Sequence, residues 1–500
     1  MFLVKLIGNS VNYTTIFMIL AFIFSILLIG IPVLFFINYE NKFFFKLFSL
    51  LVSGSVLCLS SLLFIYFDFN NTVYQQQITT GFNLFVINVS FNFALDGLSL
   101  LFFALSSLLV FLCLIFVLND NFYKNYSILL LIIELFLLII FSVLDLFVFY
   151  MFFEAILIPM FLIIGVWGSR ERKIRAVYLF FFYTLCGSIL FLIGIFYTYA
   201  YVGTCNLEYL SYIDISLLEQ KILWLAFFLS FASKIPMFPL HIWLPEAHVE
   251  APTVGSVLLA GILLKLGVYG FLRYSLVLFP MASLFFSPLI YIFSLVGIIY
   301  ASFCAVRQTD LKRIIAYSSI AHMNLIVLGI FSFNLLGLEG SILQSISHGF
   351  VSGGLFFLIG ILYDRYHSRF LHYYGGIVHF MPLYSSFFLI FTMANIALPG
   401  TSSFIGELLL LLGIFKFNGT ASVISCLGVI FCGAYSLWLC NKILFGNLKN
   451  AYTVKFSDLS LKEFLILFPL LILIFIVGFN PNTVVPFSHM VCLNILFEVF

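Results

Sequence analysis

The stretch F-A-S-K-I-P-M-F-P-L-H-I-W-L-P-E-A-H-V-E-A-P-T-V-G-S-V-L-L-A-G-I-L-L-K-L-G-V-Y-G, Phe231–Gly270, decides the fold. It joins two apolar segments, each with a lysine in its interior, and the first is interrupted by Pro236 and Pro239. A proline inside a helix removes a ladder hydrogen bond and clashes with the carbonyl four residues back. In hydrocarbon, freed carbonyls are tolerated only where protein or water lines the gap. The flanking segments, Ile222–Leu244 and Thr253–Leu278, are long enough to cross a bilayer, which takes about 20 apolar residues. At about 1.5 Å per residue, Lys234 and Lys265 each fall roughly 18 Å along their segment, near the midplane. A lysine stem of roughly 6 Å does not reach the interface from there.

The rest of the chain has the same character. Of 500 residues, 64% are apolar and 8% charged, against about 45–50% and 25% in soluble domains. Such a chain is a polytopic membrane protein and not a soluble enzyme. With 22 Lys and Arg against 20 Asp and Glu it has no basic patch for nucleic acid. Its nine cysteines are scattered with no C-x-x-C pair, which reads as small buried hydrophobes and not as a disulfide or metal framework.

Cutting at charge and turn clusters predicts fourteen spans, from Thr14–Ile37 to Phe464–Phe479. The first run is too long for a signal-peptide core. The least marked cut is at Asp145, between Ser127–Val143 and Leu146–Trp167. The twelfth span, Pro382–Phe417, is interrupted at N-I-A-L-P-G-T-S by Pro399 and Gly400. Connections after odd-numbered spans hold sixteen of the 22 Lys and Arg, including Arg170–Arg175, Lys312, Arg369, Lys449 and Lys455. The other side holds four, Lys5, Lys221, Arg273 and Lys416. That bias places both termini on the outer side, and makes Arg170–Arg175 a headgroup anchor. Alternation within Asp68–Asp96 predicts a strand or hairpin, with Asp96 capping the third helix.

Burying an ionisable side chain in a spanning helix costs about 2.5–3.5 kcal/mol on insertion scales. This chain does so at Glu134, Glu154, Lys234, Lys265, His322, His348 and Glu407. Groups of both signs on many helices exceed what a single register-fixing ion pair needs, and point to a hydrated proton or ion path. His241 and His248, flanking Glu246 and Glu250, stand where they would feed it. Two other readings compete: a b-type haem held by His322 and His348, and a scaffold subunit without a path. G-S-I-L-F-L-I-G at Gly187–Gly194 and G-G-L-F-F-L-I-G at Gly353–Gly360 match at five of eight positions, at an offset of 166 that carries Lys234 onto Gly400. Five spans separate the breaks, so the copies are inverted, as in secondary transporters. The expected fold is all-α, about 14 transmembrane helices with helices 7 and 12 broken. Residues 1–126 form three N-terminal helices, 127–278 the first repeat (helices 4–8), 279–446 the second (helices 9–13), and 447–500 helix 14 and a tail.

The block Phe231–Gly270, with E-A-I-L-I-P-M-F-L-I-I-G-V-W-G (Glu154–Gly168) and A-L-D-G-L-S-L (Ala94–Leu100), resembles the antiporter-like, proton-translocating membrane subunits of respiratory complex I, above all the chain 4 family of NADH–ubiquinone oxidoreductase. The resemblance covers essentially the whole chain. It implies a proton half-channel in each repeat, joined by a hydrophilic axis. Glu154 would pair with Lys234, Lys265 would be the central relay, and His322 and His348 would lead to Glu407 near the outer exit. Glutamate at position 407, where the related chains 2 and 5 usually have lysine, is what favours chain 4. Glu134 receives no defined role. The resemblance further implies a subunit of an H+-translocating NADH:ubiquinone reductase. Its NADH, FMN, iron–sulfur clusters and ubiquinone would sit on partner subunits, with no cofactor or metal on this chain. Expected partners are the chain 5 and chain 2 neighbours and phospholipids including cardiolipin, in the mitochondrial inner membrane (the plasma membrane in a bacterium) with both termini toward the intermembrane space. A subunit of a multi-subunit cation/proton antiporter is the alternative on the same fold.

Overall fold

The computed structural model describes residues 2–37, 42–69, 74–84, 87–118, 123–447 and 457–499. Lys449 and Lys455 lie outside the described residues. In chain order the main elements are α1 (Phe2–Phe36), α2 (Lys42–Tyr66), β1 (Gln75–Leu84), β2 (Ile87–Leu95), α3 (Gly97–Val117) and α4 (Tyr123–Ser142). There follow α5 (Leu146–Trp167), α6 (Lys173–Val202), α7 (Leu217–Lys234), α8 (Trp243–Glu250), α9 (Thr253–Leu278) and α10 (Pro280–Arg307). The chain ends with α11 (Leu311–Ile330), α12 (Leu335–Tyr366), α13 (Pro382–Asn395), α14 (Ser402–Phe417), α15 (Gly419–Leu444), α16 (Leu461–Phe479) and α17 (Val485–Val499).

Twelve helices among the described residues are long and apolar enough to cross a bilayer. The broken passages α7/α8 and α13/α14 complete the fourteen expected from the sequence. The cut at Asp145 holds because its carboxylate accepts the Phe147 and Val148 amides at 2.9 and 3.2 Å, capping α5. Asp96 and Ser99 close a reciprocal capping box on α3, with Ser99 N to Asp96 Oδ1 at 2.9 Å and Asp96 N to Ser99 Oγ at 2.7 Å. The alternating segment forms the antiparallel hairpin β1–β2. It marks one face of the bundle, the hairpin face; Arg170–Arg175 marks the opposite, basic face.

Burial sorts the helices. The most apolar window is fully buried in α9 and α12 and 89% buried in α11, but only 33–39% buried in α1, α2, α6, α15 and α16. Lipid solvates the outer helices, so Phe43 and Ile29 are exposed there without penalty. The three central helices instead carry Lys265, His322 and His348.

Four features depart from the sequence reading. The path of α5 is interrupted at Ile156, where Pro159 has no amide for the Ala155 carbonyl. The eighth passage is not a plain helix, because π turns occupy Leu259–Leu263 and Phe271–Ser275 on either side of Lys265. The tail after α16 is helical, and its Phe487 carbonyl lies so close to Gly97 that any Cβ there would overlap it. Finally, the charge bias assigns Arg273, Lys312 and Arg369 to connections between spans. They are only 4%, 3% and 2% exposed, because each finds a buried carboxylate or carbonyl acceptor.

Candidate functional site

The break between α7 and α8 exposes backbone carbonyls that need donors. Trp243 Nε1 donates to Ser233 O at 2.9 Å, and Asn324 Nδ2 on α11 reaches Pro236 O at 3.4 Å. Lys234, expected to meet those carbonyls, points instead to α5: its Nζ donates to Phe153 O at 3.2 Å and lies 4.1 Å from the Phe153 ring centroid. Glu154 is within electrostatic reach of Lys234, with the Ser188 hydroxyl also facing it. No ion pair within 4.0 Å closes between them, however, and both Glu154 oxygens are buried without a hydrogen bond. The expected partners are neighbours, in an open arrangement.

Lys265 is fully buried in the middle of α9. The Ala260 carbonyl, in the π turn before it, accepts Lys265 Nζ at 2.5 Å. The same nitrogen lies 2.8 Å from His348 Nδ1 on α12. The His348 ring stands 5.8 Å, centroid to centroid, from that of His322 on α11. His322 Nδ1 is 3.1 Å from Glu407 Oε1 on α14, and Gln344 Nε2 donates to the same oxygen at 3.1 Å. Lys265, His348, His322 and Glu407 therefore form one buried file across four helices. Its one step without a hydrogen bond is the ring-to-ring contact of His348 with His322. Glu407 is placed by the second break, where Gly400 takes φ +94°, a left-handed conformation that suits glycine.

The file has an unexpected branch. Cys432 Sγ on α15 lies 3.6 Å from His322 Nε2 and accepts from Tyr435 Oη at 3.0 Å. Beside it a cavity of about 20 Å³, lined by His322, Glu407 and Cys432, has room for about one water. Rings already in contact, beside so small a cavity, leave no space for a macrocycle, so His322 and His348 do not fit a haem. Among the described residues no group of three His, Cys, Asp or Glu is arranged to hold a metal ion.

Three expected residues stand apart from the file. Glu134 on α4 is fully buried, and neither oxygen has a hydrogen-bond partner. His248 is stacked on Phe356 at 4.7 Å with both ring nitrogens unpartnered, inside the electrostatic reach of Lys265 and Lys312. His241 packs against Phe238 and Tyr300, at 5.7 and 5.1 Å, and joins neither His248 nor Lys265. Glu246 and Glu250, next to these histidines, are committed to Arg313 at 2.8 Å and Arg369 at 2.9 Å.

Sequence reasoning missed the pairs that seal the two faces. On the basic face Arg369 also binds Asp310 at 2.9 Å and the Val249 carbonyl, and Lys312 donates to Ala251 O at 2.7 Å. On the hairpin face Arg273 binds Asp96 at 2.6 Å. The partners of Arg273 and Arg369 are 177 and 119 residues away, so no local pattern signals them.

Known proteins resemble the chain over most of its length. Residues 143–432 match the family model described as NADH:quinone oxidoreductase/Mrp antiporter, transmembrane. The chain is 51% identical over 472 residues to NADH-ubiquinone oxidoreductase chain 4 of Chondrus crispus, covering 94% of this chain and 96% of that one. It is 48% identical to the protein of the same name from Arabidopsis thaliana, covering 92% and 93%. Among solved structures it superposes on a chain of respiratory complex I from Thermus thermophilus with TM-score 0.87 and 28% identity, over 96% of this chain and 100% of that one. A chain of an archaeal membrane-bound sulfane sulfur reductase shares the fold, with TM-score 0.83 at 20% identity.

Proposed function

The chain belongs to the NADH–ubiquinone oxidoreductase chain 4 family, and from that premise we propose that the buried file Lys265–His348–His322–Glu407 is its proton pathway. The chain is a proton-translocating membrane subunit of NADH:ubiquinone oxidoreductase. The observation that carries the pathway is the file's continuity: hydrogen-bond distances at both ends, and one ring-to-ring step between them.

In this reading Glu154 and Lys234 are the input switch. Their open arrangement leaves the ammonium on a carbonyl and a ring face, both weaker partners than a carboxylate. When the pair closes, Lys234 holds its proton; when it opens, the uncompensated charge favours passing a proton on toward Lys265. Neutral imidazoles accept at one nitrogen and release at the other, so His348 and His322 can relay without moving far. Glu407 receives the proton at the far end. His248 is a side input to Lys265 from the basic face. Moving a charge against 100 mV costs about 2.3 kcal/mol, and that energy comes from redox chemistry on partner subunits. This chain's own residues supply carriers, spacing and exclusion of bulk water.

The two breaks, each beside a buried charge, support a pair of inverted units at 127–278 and 279–446, flanked by 1–126 and 447–500. The charge bias supports termini facing the intermembrane space across a mitochondrial inner membrane, with chain 5 and chain 2 neighbours and cardiolipin-type lipids against the flanks. NADH, FMN, iron–sulfur clusters and ubiquinone belong to other subunits. The relatives at about half identity carry the oxidoreductase name, which weighs against a free-standing cation/proton antiporter.

The test is Lys265→Leu in the whole complex, with assembly checked on a native gel stained for NADH dehydrogenase activity. NADH-driven proton uptake is expected to fall at least about tenfold, a conservative floor beneath the roughly hundredfold or more that a positioned proton-transfer group contributes. Unchanged uptake in a fully assembled complex would remove Lys265 from the pathway.

A further inference from the structure

On the hairpin face a cavity of about 580 Å³ opens between the hairpin, α9 and α17. Its lining includes Tyr74, Asp96, Glu208, Tyr212, Arg273 and Asn494. At its base Arg273 is 4% exposed and bridges inward and outward at once. Its Nε donates to Tyr269 Oη at 3.2 Å, on the Lys265 side. Its Nη1 donates to Asp96 at 2.6 Å and to Tyr74 Oη at 3.2 Å, on the cavity side. Among the described residues its Nη2 has no hydrogen-bond partner. Lys265, Tyr269 and Arg273 follow one another at four-residue steps, about 5–6 Å between successive Cβ atoms on a helix. These side chains thus form a line from the buried lysine to the cavity, with the guanidinium at the cavity end.

We propose that Arg273 is a fixed-charge proton barrier that closes the hairpin-face cavity off from Lys265. A guanidinium donates five N–H groups, accepts none and keeps its charge, so it can neither take up a proton from the cavity nor pass one inward. A proton approaching through Tyr74 or Asp96 meets a positive charge in a water-poor setting where repulsion is poorly screened. Arginine and helix-dipole charges exclude protons from other water-lined membrane pores in the same way. Asp96 holds the guanidinium across the route, and its own backbone is fixed by the cap on α3. With this route shut, a proton on Lys265 leaves laterally to His348, 2.8 Å away, and protons already released on the hairpin face do not return by it. The inference rests on the reading of Lys265 as a relay.

The experiment uses the whole complex in pyranine-loaded proteoliposomes without NADH, with a potassium/valinomycin potential driving passive proton entry. Arg273→Met, and Arg273→Gln as the milder variant, are expected to raise the leak at least about tenfold, equivalent to about 1.4 kcal/mol of lost barrier, while NADH:quinone turnover persists. Arg273→Lys keeps a charge and stays tight. Asp96→Asn breaks the ion pair but leaves the arginine charge, so it also stays tight, which a merely structural tie would not predict. Adding Lys265→Leu to Arg273→Met closes the leak again. Tight vesicles with both Arg273→Met and Arg273→Gln, an equal leak with Asp96→Asn, or a leak that survives Lys265→Leu would each overturn the barrier. The relay reading is tested separately, since Lys265→Leu alone lowers NADH-driven uptake whether or not Arg273 is a barrier.

Discussion

Two buried glutamates show why burial alone does not assign a role. Glu134 and Glu154 each have two oxygens without a hydrogen bond, a penalty of roughly 1–3 kcal/mol for a buried polar group. Of the two, only Glu154 has a lysine within electrostatic reach; among the described residues only burial acts on Glu134. Glu134→Met, similar in volume, is therefore expected to raise the dissociation temperature of the purified complex and leave proton uptake unchanged. Glu154→Gln is expected to assemble normally and lose most of its uptake. Thermal scans and NADH-driven acidification of the same preparations check both. Residue identity was readable from sequence at this scale: Glu154, Lys234, Lys265, His322, His348 and Glu407 announce themselves as charges or imidazoles in apolar runs. Their contacts were not readable. That Lys234 turns to Phe153 and not to the freed carbonyls depends on the indole and amide that reach those carbonyls first.

Broken helices were legible because proline leaves an unmistakable mark; the π turns were not. Leu259–Leu263 and Phe271–Ser275 contain no proline and read as ordinary apolar helix. Each turn sits beside a long-range or side-chain contact that the local sequence does not show: Lys265 takes Ala260 O, and Arg273 pairs with Asp96 at the start of α3. The proline break depends on its donors in a way that can be measured. Trp243→Phe removes the N–H that satisfies Ser233 O, and the orphaned carbonyl costs about 1–3 kcal/mol. The expected result is a lower midpoint for thermal disassembly, seen as loss of the NADH-active band after graded heating. The hairpin was legible from its alternation, but helix α17 was not. Its fifteen residues are too short for a span and follow Asn480-Pro481, so the sequence shows a tail where packing on α3 makes a helix.

At the scale of the whole molecule, buried charge is layered. A file of proton carriers lies in the middle, and charge pairs close each face. Arg369 is the keystone of the basic face, joining Glu250 at the end of α8, Asp310 before α11 and the Val249 carbonyl. Removing one partner of a buried pair typically costs about 3–5 kcal/mol, so Arg369→Met is expected to reduce assembled complex sharply. Burial pushes the Asp310 carboxyl above the usual range, with the guanidinium pulling it back. Without Arg369, burial is opposed only by the Lys312 amide and the charges of Arg313 and Lys312, so the carboxyl rises further. A carboxyl raised in the folded state contributes stability at low pH that is lost as pH rises through its folded value. The Arg369→Met defect is therefore expected to be milder near pH 5 than near pH 8, as read by the fraction of intact complex on native gels. Fourteen crossings and a charged core were foreseeable from composition and length. Which charges face each other was not, because those pairs join helices far apart in the chain.

The most direct test of the file is its middle step. His348 stands between Lys265, at 2.8 Å, and the His322 ring, at 5.8 Å, so His348→Leu removes the link while leaving both ends in place. Protons translocated per NADH oxidised are to be measured in proteoliposomes of the intact complex, beside the wild type. A lower ratio, or a matching loss of coupled turnover, is the result predicted for a single file through His348. An unchanged ratio at an unchanged rate would contradict it and send the protons by another route.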